Sequence, residues 1–157
     1  MDIKRITSFE VDHTCLKEGM YISRVDGDVT TFDLRTRRPN AGEYMDNVTM
    51  HTFEHMFATY IRNSAVGDRV IYFGPMGCQT GFYLLTRDLS PAQVKEQVMA
   101  VLEQIIAHKG EVFGASAVEC GNYRSLSLAT AQKEAERYLT VLLENGETDF
   151  TYGGAKA

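Results

Sequence analysis

The segment Asp46-Asn-Val-Thr-Met-His-Thr-Phe-Glu-His-Met-Phe-Ala-Thr-Tyr-Ile-Arg-Asn-Ser-Ala65 sets the architecture. Its apolar residues Met50, Phe53, Phe57 and Ile61 recur at i, i+3, i+7 and i+11, the stripe of a helix with one buried face. At about 100° per residue, His51, His55, Ala58 and Arg62 form a second stripe roughly 120° away. One face of this helix must therefore pack on something apolar, while the other is free to carry polar chemistry.

The flanking sequence supplies the packing surface. Upstream, Met20-Tyr-Ile-Ser-Arg-Val25 and Val29-Thr-Thr-Phe-Asp-Leu-Arg35 are β-rich and flank Asp26-Gly27, a two-residue hairpin signal. Downstream, Arg69-Val-Ile-Tyr-Phe73 and Gly81-Phe-Tyr-Leu-Leu-Thr-Arg87 read as two more strands. They are joined by Gly74-Pro-Met-Gly-Cys-Gln-Thr80, which places Cys78 at a turn. A second helix has Ser90 as N-cap and Pro91 at its first position, runs to His108-Lys109 and stops at Gly110. Near that end His108 is read as a side chain favourable to the helix dipole. A third helix, about Thr130 to Glu144, ends at Asn145-Gly146 and presents Ala131, Ala135, Tyr138, Leu139 and Leu142 as its apolar face.

Hairpins mixed with helices, without strict βαβ alternation, predict an α+β fold: a largely antiparallel β-sheet with helices packed on one face. No repeat, low-complexity tract or Pro/Ser-rich linker interrupts the chain, so residues 1–157 are expected to form a single domain. That length buries a core without a metal staple, so a metal here is expected to be catalytic. Lys and Arg number 16 against 21 Asp and Glu, a net charge of −5 with no long run of either sign, which argues against nucleic acid as a partner. The N-terminus lacks an apolar signal region and no stretch approaches the roughly 20 apolar residues that cross a bilayer. A soluble, cytoplasmic protein is expected. The cysteines are only Cys15, Cys78 and Cys120, too few and too odd for a disulfide framework; Cys15 is read as structural.

His51-Thr-Phe-Glu-His55 is an H-x-x-E-H pattern, in which two imidazoles four residues apart on a helix point the same way and can grip one ion, with Glu54 beside them. A catalytic metal takes three protein ligands and keeps a position open. Cys120, just before Gly121 in the segment between the second and third helices, can supply the third; Glu111 and Glu119 compete as oxygen ligands. With a glutamate as third ligand the pattern is that of an inverted zincin, and Glu54 would activate water against a peptide bond. Against a metallopeptidase stand the shortness of the chain and a second well-placed cysteine, Cys78, which that chemistry does not use.

Three motifs taken together carry a family resemblance. His51-Thr-Phe-Glu-His55, Pro75-Met-Gly-Cys-Gln-Thr-Gly-Phe-Tyr83 and Glu119-Cys-Gly-Asn-Tyr123 resemble, in order and separation, the S-ribosylhomocysteine lyase (LuxS) family. Ser8-Phe-Glu-Val-Asp-His13, Phe32-Asp-Leu-Arg35 and Arg38-Pro-Asn40 extend the resemblance over nearly the whole chain. Where many relatives read Asp-x-Ser-Pro-Met-Gly, this chain reads Tyr72-Phe-Gly-Pro-Met-Gly77, and Arg38 stands where glutamine is usual.

The resemblance implies one divalent metal per subunit on His51, His55 and Cys120, Fe²⁺ in the cell and often Zn²⁺ after purification. It implies Glu54 and Cys78 as the two acid/base groups, Ser8, His13 and Arg35 around the ribose, and Asp33 and Arg62 near the homocysteine end. Read without it, His13 is an ordinary hydrogen-bonded histidine. The implied reaction cleaves S-ribosylhomocysteine to homocysteine and 4,5-dihydroxy-2,3-pentanedione, the autoinducer-2 precursor. The implied assembly is a homodimer with shared active sites, in which Ser8 and His13 reach the partner's metal.

Overall fold

A computed structural model describes residues 1–153. The four expected strands form one antiparallel sheet in the order β1-β2-β4-β3. They are β1 (Gly19–Asp26), β2 (Val29–Arg35), β3 (Val70–Pro75) and β4 (Gly81–Arg87). The β1–β2 turn falls one residue later than the Asp26-Gly27 reading. Asp26 pairs with Val29, which leaves Gly27-Asp28 as the connection, with Gly27 at φ +62°. The positive φ has to fall where no Cβ opposes it, and that choice sets the register.

Three helices follow the expected order: α1 (Asn47–Arg62), α2 (Pro91–Ala107) and α3 (Leu128–Asn145). Asp46 caps α1 by accepting from the Thr49 amide, and Ser90 and Gln93 close a reciprocal capping box on α2. Helix ends differ from the sequence reading by one to three residues, because the end turns hold few hydrogen bonds. All three helices pack on one another; α1 also packs against β3, and α3 reaches β1.

The alternation of β2 explains which face is which. Phe32 and Leu34 point into the helix-covered core with Phe82 and Leu84 of β4, whereas Asp33 and Arg35 point to the other face. Phe53 of α1 stacks on Phe82 at 4.8 Å between ring centroids, and Phe57 on Phe73 at 4.3 Å. These offset stacks lock α1 onto the sheet, so its opposite stripe faces the segment before α3. Asp33 and Arg35 are nonetheless buried, at 1% and 2% exposure. A charged pair buried on the helix-free face needs its own cover, and the N-terminal segment and Tyr152 provide it.

Candidate active site

On the polar stripe of α1 the rings of His51 and His55 stand edge to face, 4.5 Å apart. His51 Nδ1 donates to the Ser125 carbonyl and His55 Nδ1 to the Phe113 carbonyl, each at 2.8 Å. Because a carbonyl only accepts, each Nδ1 carries a proton, and it is Nε2 of each ring that is turned toward the ligand cluster. Cys120 Sγ lies 3.4 Å from His51 Nε2 and accepts from the Asn122 amide at 3.4 Å. Among the described residues, His51, His55 and Cys120 offer three ligand atoms within 4.8 Å of one another. The three atoms are close enough to be drawn onto one divalent ion, whose tetrahedral bonds of about 2.0–2.3 Å would set them roughly 3.3–3.7 Å apart. Glu54 lies half-buried on the adjoining edge of the helix. Glu119 instead accepts from Ser116 Oγ at 2.6 Å.

The second group of residues lies on the helix-free face of the sheet. Arg35 donates through Nε and Nη2 to both oxygens of Asp33, at 3.1 and 2.7 Å, a bidentate pair. Its Nη1 donates to Thr80 Oγ1 at 2.8 Å and stands 3.9 Å from Cys78 Sγ, which is 3.0 Å from the same hydroxyl. The Cys78 thiol is exposed, so a guanidinium and a hydroxyl meet a thiol open to solvent. The loop that presents it is held by Gln79, which takes φ +65° and bonds Met45 through both backbone and side chain. Ser8, Phe9, His13, Arg35, Cys78 and Tyr83 line a cavity of about 400 Å³, the size of a small-molecule site. Ser8, His13, Arg35 and Cys78, chosen from distant parts of the sequence, are thus brought together.

Sequence reasoning missed the support beneath this cavity. Tyr152 donates to Asp33 Oδ2 at 2.8 Å and stacks on Tyr21 at 5.0 Å. Burial first, and the Asp33 charge second, push the Tyr152 phenol far above its ordinary value, so it stays a donor. Only its aromatic character near the C-terminus could have signalled a role. Replacing Asp33 by alanine is expected to strand the buried Arg35 guanidinium and cost about 3–5 kcal/mol in urea unfolding. Unchanged unfolding would remove Asp33 from the support of Arg35.

Asp33 and Arg62, the residues expected near the homocysteine end, each have protein partners. The Asp33 carboxylate is engaged by Arg35 and Tyr152. Arg62 donates to the Val70 and Ile71 carbonyls at 3.2 and 3.0 Å from the exposed end of α1. In the divergent Tyr72-Phe-Gly74 stretch, a Cβ on Gly74 would lie 2.0 Å from the Tyr72 hydroxyl, so Tyr72 occupies the space a larger residue at 74 would need. The Cys78 cavity includes neither a metal ligand nor Glu54 among its lining residues.

Comparison with known proteins shows the family. Residues 6–149 match the family model for S-ribosylhomocysteinase (LuxS). An S-ribosylhomocysteine lyase of Desulfotalea psychrophila is 45% identical, over 96% of this chain and 99% of that one. One from Borreliella burgdorferi is 39% identical over the same shares. One from Phocaeicola vulgatus is 40% identical over 96% and 97%.

Proposed function

The chain belongs to the S-ribosylhomocysteine lyase (LuxS) family and is an S-ribosylhomocysteine lyase; on that premise we propose that His51, His55 and Cys120 hold one divalent metal while Glu54 and Cys78 move the protons of the reaction. The observation that supports this most is the convergence of two imidazoles and a thiol on one point. A metallopeptidase reading lacks such support, since the group beside the histidines is Cys120 and the Glu119 carboxylate is engaged by Ser116.

The chemical problem is that the thioether of S-ribosylhomocysteine is not β to a carbonyl and leaves poorly. The carbonyl must first migrate from C1 to C2 and then to C3. Each migration takes a proton from a carbon next to a carbonyl and returns one to the neighbouring carbon. When bound, the ion supplies Lewis-acid stabilisation for the negative oxygen that develops at each proton removal. Cys78 Sγ is set to hold or release a proton on one side of the sugar, with Arg35 Nη1 3.9 Å away. The Glu54 carboxylate does the same on the other. Ser8 and His13 bind the sugar hydroxyls from the wall of the Cys78 cavity, and Asp33 holds Arg35 in place. Arg62 serves the amino-acid end from the last turn of α1. In the final step a proton leaves C4, the C5–S bond breaks, and the sulfur departs with the electron pair to be protonated as homocysteine.

The cavity with Cys78 and the pair Asp33–Arg35 belongs to the helix-free face of the sheet, and the three candidate ligands belong to α1 and to the segment between α2 and α3. We therefore read the chain as one catalytic domain working in a homodimer, where the cavity of one subunit faces the metal ligands of its partner. The ion in the cell is Fe²⁺, replaced by Zn²⁺ on purification, as a mixed imidazole and thiolate set accepts both. No helix among the described residues is long and apolar enough to cross a membrane, and we place the enzyme in the cytoplasm, where its product enters autoinducer-2 synthesis. Anaerobic incubation with S-ribosylhomocysteine is expected to release free homocysteine thiol, one per substrate consumed, with a peptide library left intact. Peptide cleavage without thiol release would reverse the assignment.

A further inference from the structure

We propose that Tyr60 and His108, neither of them in the catalytic cavity, are positioning residues that set the metal ligand His55 by fixing the carbonyl of Phe113. The inference rests on the three-ligand site proposed above.

The sequence assigned His108 no more than a favourable place at a helix end, yet its ring is committed on both sides. Nε2 donates to the Glu111 carbonyl at 2.8 Å. That leaves Nδ1 with a lone pair, which accepts from the Tyr60 hydroxyl at 2.7 Å. The imidazole thus bridges α1, which carries Tyr60, to the segment that leaves α2. Phe113 fills the angle between the two rings, edge-on to Tyr60 at 5.1 Å and to His108 at 4.9 Å between centroids.

Two residues on from the Glu111 carbonyl, the Phe113 carbonyl accepts the His55 Nδ1 proton at 2.8 Å. Gly114 then takes φ +70°, and a Cβ there would lie 3.1 Å from His55 Nδ1, so this backbone runs flush against the ligand's ring. The orientation of His55 Nε2 is therefore set by segment 111–114, and the segment is set by the Tyr60–His108–Phe113 cluster. His51 has separate support: the Ser125 carbonyl that orients it lies two residues before Ser127, whose amide bonds Thr52 Oγ1 on α1. Disturbing Tyr60 or His108 should thus loosen one ligand of the three.

Partners that orient a ligating histidine typically carry about a 10–100-fold effect on metal affinity. The test uses full-length protein loaded with Co²⁺, whose visible spectrum reports ligand geometry, together with the rate of metal release to a chelator. Tyr60→Phe removes one hydroxyl and keeps the ring packing; His108→Leu removes both ring hydrogen bonds. Both are expected to shift the cobalt bands and to release metal about ten-fold faster or more, with the larger change in His108→Leu. Metal-free Tyr60→Phe is expected to melt close to metal-free wild type, which separates positioning from general destabilisation. Unchanged spectra and release rates in both variants would overturn the proposal, as would a release rate that rises only in step with metal-free stability. Wild type that takes up no cobalt would instead refute the three-ligand site itself.

Discussion

Glu54→Gln and Cys78→Ala are each expected to keep a full equivalent of metal and to lose about two orders of magnitude or more in kcat, the usual scale for removing a positioned acid/base group. Gln keeps the shape of Glu54 and a place on the same edge of α1, but its amide cannot exchange a proton at working pH. Cys78 is exposed at a turn and contributes no ligand to the His51, His55 and Cys120 set, so its removal leaves that set whole. The matching variants His51→Ala, His55→Ala and Cys120→Ala are expected to lose metal and turnover together, because a three-ligand site has no spare donor. Metal analysis beside the thiol-release assay distinguishes the two classes. Near-normal turnover in Glu54→Gln or Cys78→Ala would remove that residue from proton transfer, and a full metal equivalent in Cys120→Ala would return Glu111 and Glu119 to contention as the third ligand.

The second large effect is a recovery. If the Cys78 cavity of one subunit completes the metal site of the other, Glu54→Gln and Cys78→Ala damage opposite halves of each composite site. In a mixed dimer of the two variants one site carries both defects and the other carries none. Coexpression with two different affinity tags isolates that mixed dimer without unfolding. About half of wild-type activity per dimer is then expected from two parents that are almost inactive. His13→Ala should substitute for Cys78→Ala as the complementing partner, since His13 lines the same cavity. Activity no higher than the mean of the parents, in a mixed dimer verified by native mass spectrometry, would show that each subunit builds its site alone.

The sequence by itself determined the elements and the candidate residues of the site. Strands Val29–Arg35 and Gly81–Arg87 came out at the residues expected, and the stripe Met50, Phe53, Phe57 and Ile61 is buried as its spacing requires. These features are legible because period, cap and turn are set by residues within one or two turns of each other. The H-x-x-E-H helix is local in the same sense, and the choice of Cys120 over Glu111 and Glu119 came from resemblance over nearly the whole chain.

What only the tertiary structure decided is which groups surround each of those side chains. That Asp33 is sealed beneath Arg35, with Tyr152 closing over it from the far end of the chain, follows from the pairing of β2 between β1 and β4 and from where the C-terminal segment lies. That the imidazoles of His51 and His55 present Nε2 depends on the carbonyls of Ser125 and Phe113, which carry no signature in the sequence because every residue has a carbonyl. His108 shows the limit most directly. Its role comes from Tyr60, 48 residues away, and such a contact exists only once the core has set α1 beside the end of α2.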